Sequence, residues 1–405
     1  MSSKLKKIQK GDKDYLFQNY GERLPVAFVS GKNSILFDQD KNKYIDFFSG
    51  IAVSNLGHNN KDIIKAAIDQ IKNIIHTSNW FLNNEQIDAA KALQSVSFPG
   101  KTLWVNSGTE ANEAAIKLAR RYGLSKSKKL YNIITFNNSF HGRTYGSMSA
   151  TAQQKIHGGV GPVVNGFIYL PLNDIKQFKK HIKKNVVAVM VELIQGEGGI
   201  NIINNDFLQE VYAICNEKDI LLVIDEVQTG VGRTGLPFAY QHFNVIPDIM
   251  TLAKGLGAGF PIGALHAKSF LAEFFPGGSH GTTFGGNHVT CAVAEVVLKE
   301  LKKNTLQKNV MKVSKFILET ITNLSKEISI IKDVRGMGLH IGIELSIPGM
   351  DIVKKALASG LIINCTAGNV IRIMHPLNID MNTVKVGMKI FESILKSEDM
   401  KSENS

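Results

Sequence analysis

Two side chains at the ends of successive apolar runs define the chemistry this chain could perform. One is Asp225, which closes Ile220–Ile224 in ILLVIDEVQTGVGRTG; the other is Lys254, in MTLAKGLGAGFPIGA. An apolar run bounded by charge reads as a strand buried on both faces of a parallel sheet. An acid at its carboxyl end points into the crevice where open α/β sheets bind ligands. A carboxylate and a primary amine on two strand ends suit a cofactor that needs both. Pyridoxal phosphate (PLP) is one: its aldehyde condenses with a lysine amine, and its pyridinium nitrogen takes an acid as partner. Taken singly, a strand-end Asp is more often a turn former or helix cap, and a lone Lys a solvated surface residue. The Gly-rich, otherwise apolar setting of Lys254 is a poor surface site and tips the pair towards chemistry.

Four further segments could help to hold such a ligand. In VNSGTEANE, residues 105–113, a strand gives way to a helix through Ser107, Gly108 and Thr109. The unpaired first-turn amides, the positive dipole end and the hydroxyls would cradle a phosphate, although Ser/Thr before Glu is also a capping signature. In FHGRT, residues 140–144, Phe140 could stack on a flat ring and Arg143 offers a planar fork for a carboxylate. A packed Phe and a surface Arg are the competing account, and His141 suits a hydrogen-bonding role better than a catalytic one. In QGEGG, residues 195–199, glycines flank Glu197, as in a loop whose backbone closely approaches something or in a simple tight turn. In HGTTFGGN, residues 280–287, Thr282 and Thr283 place adjacent hydroxyls in a Gly-rich loop before a helix.

These segments must be positioned by a scaffold, and the pattern around them supplies one. Between Lys101 and Ile224, apolar runs (102–105, 132–136, 186–191, 220–224) alternate with segments of helical period (111–122, 207–216). That spells an α/β fold with a mainly parallel sheet covered on both faces. Residues 248–253 and 262–266 read as further strands, and 289–301 as a long helix. Residues 26–48 read as short antiparallel strands, followed by helices at 61–75 and 84–96. Residues 307–395 read as a separate α+β lobe sharing its sheet with the N-terminal strands. The lysine-rich residues 1–20 are expected to fray or drape over a neighbour, and 396–405 to form a disordered tail.

Composition narrows the function. The chain has 405 residues, 44% hydrophobic and 20% charged, which is ordinary for a soluble globular protein. It shows no signal-peptide pattern and no apolar run long enough for a membrane span. Cys215, Cys291 and Cys365 lack metal spacing and suit a reducing compartment, so the expected location is cytoplasmic, with no membrane association and no metal. A net charge of +12 raises nucleic-acid binding. However, the lysines are spread along the chain with no interleaved stacking aromatics, so an anion-attracting surface is expected and no nucleic-acid partner. A basic nucleic-acid-binding protein without catalysis is the alternative from a different class.

The ordered set SGTEANEAA, FHGRT, QGEGG, IDEVQTGVGRTG, AKGLGAGFPIGA and HGTTFGGN resembles the class III, ornithine-type, PLP-dependent aminotransferases. The likeness runs from about Pro25 to Leu377 and includes SGIAVSNLGH, HTSN, VRGMGLHIGIEL and VIRIMHPL. It implies the type I fold of PLP enzymes: a large domain with a seven-stranded-type sheet, and a smaller α+β domain from both chain ends. The divisions expected are 1–50, 51–300, 301–395 and a tail 396–405. A homodimer with shared active sites is implied as well.

By motif, Lys254 carries the cofactor and acts as the base, and Asp225 pairs with the pyridinium nitrogen. Val227 and Phe140 pack on the two ring faces, and Gln228 bonds the ring hydroxyl. Ser107, Gly108 and Thr109 hold the phosphate, and Thr283 reaches the phosphate of the partner subunit, with Thr282 near the substrate. Arg143 clamps a substrate carboxylate, while Glu197 and Arg372 form a switchable ion pair. The reaction implied moves the terminal amino group of N-acetylornithine to 2-oxoglutarate in arginine biosynthesis. Succinylornithine, succinyl-diaminopimelate, free ornithine and 4-aminobutyrate are alternative donors. Leu82 stands where ornithine-using relatives tend to have Tyr, which favours an N-acylated donor. Leu193, Met374-His375 and Asn59-Asn60 depart from the family's prolines and removes no group the chemistry requires.

Overall fold

Residues Leu221–Asp225 form the strand at the middle of a seven-stranded sheet, and every one of them is buried. The computed structural model describes residues 2–183 and 185–403. Across the sheet the strands run Lys101–Val105, Gly263–Ala267, Ile249–Leu252, Leu221–Asp225, Val186–Val191, Asn132–Phe136 and Phe167–Leu170. Gly263–Ala267 is antiparallel to both its neighbours, and the other pairings are parallel. The sheet is therefore mainly parallel, as the apolar runs predict.

Alternation along the central strand explains why it carries no polar residue before Asp225. Leu221 and Val223 pack with Ala114, Ala115, Leu118 and Ala119 of the helix Gly108–Lys126 on one face. Leu222 and Ile224 face the other way, into the large core that includes Phe207, Leu208 and Val211 of the helix Asn205–Lys218. Successive side chains point to opposite faces, so a strand covered on both sides must be apolar throughout. The alanines of Gly108–Lys126 let that helix lie close on the sheet. Its first turn then sits over the carboxyl ends of the strands, where the cavity opens.

Both chain ends contribute to the outlying sheets. Phe28–Lys32, Ile35–Asp38 and Lys43–Asp46 form an antiparallel meander whose last strand pairs in parallel with Leu361–Ile362. The expected sharing of one sheet is limited to that short strand. The remaining carboxyl-terminal strands, Ile331–Met337, His340–Leu345, Val370–Ile373 and Asn364–Thr366, form their own antiparallel sheet.

Two expectations at the ends need correcting. Ser3–Tyr15 is a helix, with Ser2 as its cap accepting from the Leu5 amide, rather than a frayed segment. The last helix runs Met381–Glu403, so residues 396–403 continue it instead of forming a disordered tail; residues 404–405 lie outside the described residues. Asp399 explains the continuation: it is buried, and its Oδ1 accepts from Ser329 Oγ at 2.8 Å and Ile330 N at 2.9 Å. Among the described residues no helix is long and apolar enough to cross a membrane, and no cluster of potential metal ligands occurs.

Candidate active site

A cavity of about 450 Å³ opens at the carboxyl ends of the central strands, with Asp225 and Lys254 in its wall. Ser107, Gly108, Thr109, Phe140, Arg143, Glu197, Val227 and Gln228 also line it. The structure thus gathers ten of the thirteen expected site residues around one space. Arg372 stands just behind it, buried on Val370–Ile373 and linked to it through Glu197. Thr282 and Thr283 do not line it. They face a second cavity with His76, Ser78, Asn79 and Trp80, and Thr282 is tied to the first through Asn106 Nδ2, at 3.1 Å.

Asp225 is locked before any ligand arrives. Its Oδ2 accepts from Asn112 Nδ2 at 2.8 Å and meets His141 Nδ1 at 2.8 Å, while its Oδ1 accepts from the Val227 amide at 3.0 Å. Burial opposes charge on His141, but the bond to Asp225 and the nearby Glu192 carboxylate override it and raise the imidazole above its usual range. His141 therefore fills the hydrogen-bonding role expected of it. One wholly buried atom of each supporting side chain, His141 Nε2 and Asn112 Oδ1, has no partner.

Lys254 sits one residue beyond Ile249–Leu252 and Ala253, at φ 46° in the left-handed region. A non-glycine residue held there carries strain of about 1–3 kcal/mol, which its surroundings must sustain. Its Nζ makes no hydrogen bond or ion pair among the described residues. Burial pushes the amine down to about 8; Glu197, Asp225 and Glu192 oppose that push and Arg372 adds to it. A nucleophilic neutral amine is thereby available near neutral pH.

The helix Gly108–Lys126 aims its N-terminus into the cavity. Ser107 caps it by accepting from Glu110 N at 3.2 Å, and the Glu110 carboxylate returns to Asn106 N, so the capping reading holds. Capping leaves the first-turn amides of Gly108 and Thr109 without intrahelical partners, a site for an anion. Thr109 Oγ1 accepts from the amides of Arg143 and Thr144 at 3.2 and 3.3 Å, which fixes the FHGRT loop against the helix. Gly108 is required: a Cβ there would stand 2.7 Å from Val227 Cγ1. Arg143 is exposed, with its guanidinium 5.5 Å from the centre of the Phe140 ring.

Glu197 and Arg372 form an ion pair at 2.6 Å. Arg372 also donates to Gly196 O at 3.0 Å and Asn364 Oδ1 at 2.8 Å. Burial would raise the Glu197 carboxyl, but Arg372, with Lys254 and Gln228, holds it below its usual range. Thr366 Oγ1 donates to Glu197 O at 2.7 Å. Arg335 donates to Gly199 O at 2.7 Å, so the carboxyl-terminal sheet fixes the loop on both sides of Glu197.

Sequence reasoning passed over Asn112, Glu192, Asn364 and Thr366. Glu192 follows the strand Val186–Val191 and so carries the same strand-end signal as Asp225. It is buried, accepts from Phe140 N at 2.7 Å, and burial pushes it up to about 7. Asn112 lies one helical turn after Gly108 and could have been found from that spacing. Asn364 and Thr366 carry no local signal.

The donor set fits PLP on its own evidence: an unpaired lysine amine, a locked strand-end carboxylate, an anion-binding helix end, and Phe140 and Val227 in the walls. Fold and site together define an enzyme of the PLP-dependent class. The chain belongs to the class III aminotransferase family, whose model, described as "Aminotransferase class-III", matches residues 17–395. This family uses PLP. The chain is 47% identical to an acetylornithine aminotransferase of Aquifex aeolicus, over 94% of this chain and 100% of that one. It is 45% identical to the acetylornithine aminotransferase of Caldanaerobacter subterraneus subsp. tengcongensis, over 95% and 98%. Among solved structures, the ornithine aminotransferase of Toxoplasma gondii superposes with a TM-score of 0.94 at 29% identity, covering 99% of this chain and 97% of that one. The N-acetylornithine aminotransferase of Stenotrophomonas maltophilia gives 0.82 at 34% identity, covering 94% and 98%.

Proposed function

We propose that the chain transfers the terminal amino group of N-acetylornithine to 2-oxoglutarate, giving N-acetylglutamate 5-semialdehyde and glutamate, a step of arginine biosynthesis. The observation that carries this reading is the Glu197–Arg372 pair at 2.6 Å in a cavity that also presents Lys254. The named activity of the relatives reported above supports the choice of donor.

PLP bound in this cavity supplies an aldehyde to take up the amino group and a ring to spread the electrons of the reacting carbon. Asp225, oriented by His141 and Asn112, is the partner of the ring nitrogen. Gln228 serves the ring hydroxyl, and Ser107, Gly108 and Thr109 serve the phosphate. Phe140 and Val227, both in the cavity wall, would pack against the ring and keep water from it. Lys254 Nζ would serve as the base that takes and hands back the proton of the reacting carbon, a role in which a placed base gives about 10²–10⁴-fold.

The two substrates pose different problems. The donor reacts at its terminal amine, while glutamate reacts beside its α-carboxylate. Arg143 holds a carboxylate common to both. Glu197 neutralises Arg372 while the terminal amine reacts, and by turning aside frees the guanidinium for the α-carboxylate of glutamate.

A homodimer completes the reading. Thr283 faces away from its own chain's main cavity, in keeping with service to the phosphate of the partner subunit, and Thr282 lies near the partner's substrate. Trp80, which lines the same second cavity, and Leu82, two residues further on, are 94% and 97% exposed; both are poor solvent-facing residues and suit the same interface. The large unit is assigned to 51–300, with 1–50 and 301–395 making the smaller one. Three unpaired cysteines favour a cytoplasmic location.

The deciding experiment follows the absorbance of the cofactor-loaded protein after adding N-acetylornithine, ornithine and 4-aminobutyrate separately. N-acetylornithine should discharge it with the highest kcat/KM. A faster reaction with either of the others would reassign the donor.

A further inference from the structure

His340 begins the strand His340–Leu345 and is wholly buried, yet none of the roles above uses it. Its Nε2 lies 3.0 Å from Gln228 Oε1, and its Nδ1 has no partner. An amide oxygen only accepts, so Nε2 carries the hydrogen and donates it. Burial, together with the charges of Arg233, Arg372 and Lys254, pushes the imidazole well below its usual range, which keeps the ring neutral and Nδ1 bare. A bare buried nitrogen is destabilising, and an apolar side chain would avoid it. The retained group is the one N–H aimed at Gln228.

Arg372 and Glu197 set which way Gln228 is turned, and the His340 N–H adds a third and shorter bond to the same orientation. Gln228 Oε1 faces His340 Nε2 and, at 3.4 Å, Arg372 Nη1; Gln228 Nε2 faces Glu197 Oε1 at 3.3 Å. Reversing the amide would set its NH2 against two donors and its oxygen against a carboxylate. The glycine at 196 leaves room for this amide, since a Cβ there would stand 1.8 Å from Gln228 Oε1. Gln228, Glu197 and Arg372 therefore close one circuit, and His340 attaches to it at Gln228. Glu197 Oε1 has two side-chain donors, Arg372 Nη1 and Gln228 Nε2, and His340 helps to hold the second in place.

We propose that His340 is a positioning residue for the Glu197–Arg372 switch, holding the Gln228 amide so that its NH2 faces Glu197 and the ion pair stays closed. The inference rests on the switching role proposed above and deepens it by naming what sets the balance between the two arrangements. Without the His340 donor, Gln228 Oε1 keeps only the longer Arg372 contact at 3.4 Å, so the amide turns more readily and the Gln228 Nε2 bond to Glu197 weakens. Arg372 is then released more readily. The glutamate half-reaction gains relative to the terminal-amine half-reaction.

The test compares His340→Leu and His340→Met, which lack a donor, with His340→Gln, which keeps an N–H. Two readouts are taken on the full-length protein: the Gln228 conformation in crystal structures, and the ratio of kcat/KM for glutamate to kcat/KM for N-acetylornithine. The apolar variants should lose the Gln228–Glu197 contact and raise the ratio by about 3- to 10-fold, the scale of one hydrogen bond. His340→Gln should restore both. An apolar variant whose Gln228 still faces Glu197, or whose ratio stays at the parent value, overturns the proposal, and so does failure of His340→Gln to rescue. Glu197→Gln, measured in parallel, isolates the underlying reading. If it leaves the ratio unmoved, the switch itself is wrong, while the Gln228 conformation still decides the claim about His340.

Discussion

Lys254 shows how burial can prepare a side chain for chemistry. An ordinary lysine is charged at neutral pH and cannot attack an aldehyde; here burial brings the amine down to about 8. The neutral form is the nucleophile, so the rate at which the apoprotein takes up PLP should rise with pH through about 8 and then level off. Stopped-flow absorbance across that range checks it, and a midpoint near that of free lysine would refute the burial argument. Arg372 makes a different prediction, because on the proposed switch its charge serves only one of the two substrates. Arg372→Gln should slow the glutamate half-reaction by about 10- to 100-fold, the scale of a charge-assisted bond, and slow the terminal-amine half-reaction far less. Equal losses in both half-reactions would show that the guanidinium does not discriminate between them.

At the scale of elements, the site depends on how closely one helix end approaches one strand end. Gly108 stands where any Cβ would meet Val227 at 2.7 Å. Gly108→Ala should push the helix N-terminus and Val227 apart, at an overpacking cost of about 1–3 kcal/mol. The expected result is PLP binding weakened by about 10-fold or more, read as a rise in Kd by fluorescence titration; unchanged Kd would mean that the approach is not needed. The central strand has a simpler dependence. Leu222 is fully enclosed between the sheet and its helices, so Leu222→Ala should remove about 2–5 kcal/mol of stability by denaturant titration. The helical period of Ala111–Ala119 and the apolar strands were legible in the sequence, because burial on one stripe or on two faces dictates residue type. Helix ends were legible less well. Ser107 and Glu110 announce a cap, but a cap and a phosphate cradle use the same residues, and only the cavity beside them separates the two uses.

At the scale of the whole molecule, one described chain brings ten of the expected residues to the cavity wall and leaves Thr282 and Thr283 outside it. The shared site proposed above predicts this division and has a sharp consequence. Thr283→Glu should abolish activity by setting a carboxylate against the phosphate of the partner's cofactor, and Lys254→Ala should abolish it by removing the base. Mixing and reassociating the two inactive proteins should restore activity, because one site in each mixed dimer then has both an intact Lys254 and an intact Thr283. No recovery, with mixed dimers demonstrated by native mass spectrometry, would place Thr283 outside the site.

By itself the sequence determined the sheet, its covering helices and the strand-end identities of Asp225 and Lys254. These follow from hydrophobic periodicity, which local neighbours impose and a reader can count. The same periodicity misread the last residues as a loose tail, because the contacts of Asp399 with Ser329 and Ile330 come from a distant part of the chain. Only the tertiary structure decided that Asn112 and His141 would lock Asp225, that Asn364 would orient Arg372, and that His340 would reach Gln228. Each of those bonds joins residues on different elements. No spacing along a strand or a helix records a pairing that exists only once the layers have packed.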